Sequence, residues 1–501
     1  MAKNKNFKNN KSSNFRGRDN GRKATPNDRD DKIMDCGKHP NDVSWYAQNP
    51  QMLVDSASVA FNQMVGAKFT LGVNETKQTR ITPGIEVLRW APSVGVSNEP
   101  NSAVNIAARN LYSYVRHANS GSANYDSPDM MLYLLATSSA YAFYETMKRA
   151  YGVLRFYAQT NRYLPDTLCT ALGFNPGQLR ANMADFRYYI NQYALKLNSL
   201  AVPANIPYFQ RHMWLNRHVY MDRAGIKSQF YAFRQNAYYQ FAEMTEDNPY
   251  GRLNLTVPPS VFSAVGNIKG FGDSLLDPIL RSEDMNIMSG DILKAFGSSG
   301  LLSASEVDES YTVVPEYNME VLHQIHNFHG IGAIASDTTG GLNEYVRQSE
   351  AGYLISNPCV VRHSKDTIVA TDDLLLDIHV DNPTPADVMV STRMMAMAAA
   401  AGVPHPSLDD FTIHPVVMSG SEVPCIIEVW TFSVDGTPRT FDINSEYVID
   451  QTSGNSLDVN SLVYHSMFDM APTLYLGVKY NDANPASFVS VFGDLDNYVV
   501  L

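Results

Sequence analysis

A chain of 501 residues, 44% apolar and 18% charged, is long enough for two or three domains and too apolar to be mainly disordered. Its formal net charge of −12 excludes a body that binds polyanions through bulk charge. The charge is uneven: Lys3, Lys5, Lys8, Lys11, Arg16, Arg18, Arg22 and Lys23 face only Asp19 within residues 1–23, a local +7 that leaves −19 on the remainder.

Taken in chain order, residues 1–40 are expected to be a disordered basic arm, rich in Asn, Lys, Arg, Gly and Ser. No apolar run follows its cationic start, so no signal peptide is expected. Apolar and aromatic residues arrive with Trp45, Tyr46, Leu53 and Val54, and residues 41–300 read as a predominantly helical region. Ser127-Pro128-Asp129 predicts a helix start, with Ser127 as N-cap. Lys148 and Arg149 then fall in the last turn, with Gly152 just beyond. Asn175-Pro176 opens another helix, whose apolar positions Leu179, Met183, Phe186, Ile190, Tyr193 and Leu197 form one face. Similar spacings predict helices over 104–118, 208–222 and 227–243. Residues 301–501 read as a mixed α/β region. A short helix over 319–328 is followed by alternating strands at 376–381, 425–434, 474–480 and 488–492. The fold class is therefore α+β, predominantly α-helical, with a partly β C-terminal portion. The uncharged run Met130–Tyr144 is short of a membrane span, so a soluble chain without stable membrane insertion is expected. Cys36, Cys169, Cys359 and Cys425 form no Cys-x-x-Cys pair, which excludes a disulfide framework or zinc ribbon and suits a reducing compartment.

A search for chemistry returns little. His323-x-x-His326-x-x-His329 lacks the Glu of a His-Glu-x-x-His site, and histidines before Gly330 suit the negative end of a helix. Asp377, His379 and Asp381 share one face of a strand, where a solvated face is the plainer reading. Gly-x-Gly-x-x-Gly, Gly-Lys-Ser/Thr and Gly-x-Ser-x-Gly are all absent, and Asp28, Asp30 and Asp31 fall in the arm. No catalytic residue, metal or cofactor is assigned. Arg211, Arg217 and Arg223, interleaved with His212, Trp214, His218 and Tyr220, form a basic-aromatic stretch that could face RNA. The arm is the stronger polyanion contact, and Arg16-Gly17-Arg18 resembles an RNA-binding RG tail.

The stretch Asn41-Asp42-Val43-Ser44-Trp45-Tyr46-Ala47-Gln48-Asn49-Pro50-Gln51 resembles picobirnavirus capsid proteins. So do Asp55-Ser56-Ala57-Ser58, Pro83-Gly84-Ile85, Asn105-Ile106-Ala107-Ala108-Arg109-Asn110 and Val115-Arg116-His117-Ala118-Asn119-Ser120-Gly121. Ala123-Asn124-Tyr125-Asp126, Pro128-Asp129, Ser289-Gly290-Asp291, Ala295-Phe296-Gly297, Pro315 and Val321-Leu322 continue the pattern, which spans roughly residues 41–330. The resemblance implies a helical viral shell domain in a small double-stranded-RNA virus. Its icosahedral T=1 shell would be built from symmetric homodimers and assembled in the host cytoplasm. It also implies that some members cleave off their own N-terminal segment, for which no residues carry over here. Residues 301–501 could include a protruding dimerisation part. Sequence-independent contact between the arm and RNA completes this reading. A non-shell RNA-binding nucleoprotein and a metal-dependent hydrolase using His323 and His326 are the alternatives.

Overall fold

The computed structural model describes residues 68–71, 78–121, 124–156, 164–224, 228–242, 250–334, 346–363, 374–433, 438–450, 456–479, 487–492 and 498–500. The basic arm, Trp45 and Tyr46 lie outside the described residues.

One long helix organises the N-terminal half. The helices there are α1 (Ala103–Ala118), α2 (Ser127–Arg155), α3 (Leu164–Ala171), α4 (Pro176–Ala181), α5 (Met183–Asn198), α6 (Pro207–Arg217), α7 (Val265–Arg281) and α8 (Glu283–Phe296). Helix α2 is buried on almost every side, including Thr137, Ser138, Ser139, Glu145 and Arg149. A helix apolar all round has no solvent face to keep, so its neighbours α1, α3, α5, α6, α7 and α8 enclose it. Its buried polar groups are used locally. Thr137 Oγ1 donates to the Tyr133 carbonyl at 2.9 Å, and Ser139 Oγ accepts from the Tyr239 amide at 2.9 Å. The cap of α2 is Asp126, one residue before the expected Ser127, and Asp129 accepts from the Asp126 amide at 2.9 Å. The helix also runs through Gly152 to Arg155, because Gly152 is where residues 311–313 cross it. The Val313 amide donates to the Gly152 carbonyl at 3.1 Å. Asn175 caps α4 as expected, accepting from the Gln178 amide at 3.1 Å. The chain then breaks at Asn182 before α5.

Among the described residues, three further α-helices follow: α9 (Met319–His326), α10 (Pro385–Ser391) and α11 (Ser456–His465). The largest sheet joins β1 (Lys68–Leu71), β2 (Gln78–Pro92), β3 (Tyr220–Met221), β4 (Phe230–Gln235), β15 (Glu422–Ser433) and β16 (Pro438–Ile443) in the order β16-β15-β2-β4-β3, with β1 on β2. Strand β2 runs antiparallel to β15, with Ile427 opposite Leu88, and parallel to β4, with Ile85 opposite Phe230. This sheet therefore takes strands from both sides of residue 300. Four smaller sheets surround it. β5 (Tyr238–Ala242), β6 (Arg252–Thr256), β8 (Arg347–Gln348) and β9 (Leu354–Ile355) form one. β7 (Ala333–Ile334), β10 (Cys359–His363), β12 (Met397–Ala398), β13 (Val403–Pro404) and β14 (Phe411–Met418) form another. β11 (Leu375–Asp377) pairs with β20 (Tyr498–Val500), and β17 (Glu446–Asp450), β18 (Leu474–Lys479) and β19 (Ser487–Phe492) make the last.

The main sheet has core on both faces. Ile85, Val87, Phe230 and Ala232 join the cluster around α2, while Leu88, Trp90, Tyr231 and Phe233 join a second cluster under α9 and α11. Successive strand residues point to opposite faces, so a sheet buried on both sides has no polar alternation. That is why the helix expected over 227–243 is instead β4 and β5. The pattern over 208–222 likewise ends its helix at Arg217 and passes into β3.

Candidate functional site

The three arginines expected to face RNA are each held by carboxylates of the chain itself. Arg211 Nε lies 3.2 Å from Glu422 Oε1, its Nη2 donates to Gln324 Oε1 at 2.8 Å, and its guanidinium covers the Trp214 ring at 4.9 Å. Arg217 grips Glu145 with two bonds of 3.1 and 2.7 Å. Arg223 pairs with Asp469 and lies 3.7 Å from Asp222. Of the interleaved aromatics, His212 and Tyr220 are core residues. Burial pushes the His212 imidazole down to about 4, so it is neutral near pH 7. A stacking platform needs open ring faces, and here the guanidiniums are paired and two of the rings are buried. Glu145 lies 72 residues from Arg217 and Glu422 lies 211 residues from Arg211, which no local pattern reveals.

The histidine motif and the strand motif each lose residues and then merge. Helix α9 stops at His326, with Asn327 as its cap, so His329 falls outside it and makes a 2.6 Å hydrogen bond with the Ala396 carbonyl. The predicted strand shrinks to Leu375–Asp377, and Asp377 is buried, not solvated. His326 Nε2 lies 2.7 Å from Asp377 Oδ2, and His379 Nε2 lies 3.4 Å from the same oxygen. The His323 ring stacks on His379 at 5.9 Å and 18°. Asp381 is exposed and outside this group. Burial raises the Asp377 carboxyl, but hydrogen bonds and charge from His326 and His379 win and hold it well below the usual carboxylate range. His323 is lowered too, and so is held neutral. Burial, then the neighbouring His379 and His326, push it down to about 4, so a charged histidine at the helix end is not its role.

Large apolar side chains also reach the surface. On α5, Tyr188 and Leu195 are 65% and 61% exposed, seven residues apart and thus on one outward face. Tyr114 on α1 packs against Phe296 of α8 at 4.9 Å while half exposed, and Val417 and Met418 stand out from β14. Exposed apolar side chains of this size are the kind that contacts between copies cover.

Comparison with known proteins identifies the family. The family model for the picobirnavirus capsid protein matches residues 45–482. The chain belongs to the picobirnavirus capsid protein family. A curated relative, the capsid protein precursor of human picobirnavirus, is 27% identical over 516 residues, covering 96% of this chain and 91% of its own. A solved structure, the X-ray crystallographic structure of the picobirnavirus capsid, matches with a TM-score of 0.74 at 25% identity, over 92% of this chain and 95% of that chain. The family resemblance read over residues 41–330 thus extends through the C-terminal third. This picobirnavirus-type chain is a capsid subunit, a structural component of the virion that self-assembles into a shell, and its relatives carry no enzymatic name. Among the described residues no helix is long and apolar enough to cross a membrane.

Proposed function

We propose that this subunit assembles through symmetric homodimers into a small T=1 icosahedral shell around double-stranded RNA, in the host cytoplasm. The observation that carries the reading is the match to a solved picobirnavirus capsid over 92% of the chain. The exposed Tyr188, Leu195, Val417 and Met418 support it, because obligate assemblies bury thousands of Å² of largely apolar surface. Residues 41–300 form the shell region in this reading, and residues 301–501 contribute a protruding dimerisation part. Cys169, Cys359 and Cys425 are buried and form no disulfide, which suits assembly in a reducing compartment.

The basic arm, from Lys3 to Lys23, contacts RNA without reading its sequence. Its +7 opposes a −19 body, which would otherwise repel a nucleic acid. Arg211, Arg217 and Arg223 are the reserve candidates for RNA contact. Trp45 and Tyr46 anchor the segment after the arm to the body or a dimer partner. Their replacement by Ala is expected to weaken dimers, as read by sedimentation equilibrium.

Electron microscopy of the purified full-length chain tests the shell. Closed particles of one size are expected. Filaments along RNA would favour the nucleoprotein reading, and a monomer persisting across salt and protein concentration would overturn shell assembly.

A further inference from the structure

We propose that His326, Asp377 and His379 form a structural site for one zinc-like divalent cation per subunit. The ligand atoms of these three side chains all lie within 4.8 Å of one another. Tetrahedral zinc, with bonds of about 2.0–2.1 Å, sets its ligand atoms roughly 3.3 Å apart. The observed separations from Asp377 Oδ2, 2.7 Å to His326 and 3.4 Å to His379, bracket that spacing. A small opening of the His326–Asp377 pair admits the ion. Two imidazoles and one carboxylate are a zinc donor set, and they leave a fourth position for water. His323 Nε2 is buried without a hydrogen-bond partner, on the ring stacked against the ligand His379.

The support behind the ligands is rigid. Asn327, the cap of α9, donates to the Asp377 carbonyl at 2.6 Å and accepts from the Asp377 amide at 2.8 Å. The same side-chain amide holds the His323 carbonyl at 2.9 Å. One asparagine therefore fixes a helix end and a strand 50 residues apart in the relation the ligands need. Such second contacts orient metal ligands. The ion would tie α9 to β11 as a structural fastening.

The test uses untagged full-length protein, stripped with chelator and dialysed against zinc or cobalt alone. One ion per chain is expected, with the visible bands of tetrahedral Co(II) and a rise in melting temperature on zinc addition. D377N and H379N should each lose stoichiometric binding at least tenfold, while H405N, a change outside the cluster, should keep it. No stoichiometric binding by the wild-type chain, or unchanged binding in D377N and H379N, would overturn the site. Should those variants fail to fold, zinc-edge anomalous diffraction from wild-type crystals decides: a peak among the three side chains supports the proposal, and a peak elsewhere sinks it.

Discussion

At the scale of single residues, one buried pair and one buried histidine show how charge is managed inside the subunit. His465 Nδ1 lies 2.7 Å from Glu86 Oε1, and its Nε2 lies 2.8 Å from the Pro472 carbonyl. A carbonyl only accepts, so Nε2 carries a hydrogen and the Glu86 contact holds the second proton between imidazole and carboxyl. Burial pulls His465 down, yet Glu86 and the carbonyl raise it above its ordinary value. Glu86 is raised as well, by its own burial. His465→Ala strands a buried carboxylate and should cost about 3–5 kcal/mol. Glu86→Gln can still bond Nδ1 and should cost clearly less. Urea unfolding of the two variants compares them, and equal losses would refute the shared-proton pair. His212 gives a pH prediction. Its folded value of about 4 lies below the unfolded 6.5, so the unfolded chain binds the proton more readily. Stability should therefore fall as pH drops from about 6.5 towards 4, by up to roughly 1.4 kcal/mol per pH unit from this group. The urea midpoint against pH should be flatter in His212→Asn than in the wild type. The helix-end histidines, the strand carboxylate and the arginine partners were all visible as residue types. Their meetings were hidden, because His326 and Asp377 are 51 residues apart and Arg211 and Glu422 are 211 apart.

Elements were legible where one face is buried and obscure where two are. The α5 stripe of Phe186, Ile190, Tyr193 and Leu197 is completely buried, as its spacing requires. The doubly covered β2 and β4 carry no such rhythm, and β2 went unread for that reason. Two helix glycines test the difference between a crowded and an open position. A Cβ at Gly152 would sit 2.6 Å from Val313 Cγ2 and 2.9 Å from the Val313 amide nitrogen, whereas one at Gly290 in α8 meets nothing within 4 Å. Gly152→Ala should destabilise by about 1–3 kcal/mol through overpacking. Gly290→Ala should stabilise by about 0.4–1 kcal/mol by restricting the unfolded chain. Thermal unfolding of both variants checks the signs, and a stabilising Gly152→Ala would remove the crossing argument.

For the whole molecule, the arm and the outer face of α5 should separate packaging from closure. Each neutralised phosphate contributes about −0.7 to −0.9 to the slope of log affinity against log salt, so eight arm cations set a ceiling of roughly −6 to −7 per chain. Deleting residues 1–32 should leave shells that close but hold much less RNA, as measured by nucleic-acid absorbance of isolated particles. Equal RNA content would move the packaging role to Arg217 and Arg223, the more exposed of the three arginines. Tyr188→Asp with Leu195→Asp should lower assembly with little change in subunit melting temperature, since neither side chain supports the core. Unaltered particle yield would show that this face is not a contact between copies. The pairing of β2 with β15 has a consequence in time. Arg89 and Glu428, bridged at 2.8 Å, are 339 residues apart. Contacts so remote in sequence form late and slowly. A ribosome must therefore have made most of the polypeptide before the central sheet can close. A nascent chain interrupted before residue 422 lacks β15 and β16 together and leaves β2 with a bare edge. Such fragments lack the finished sheet, so the core of the subunit is complete only once its last third has been made.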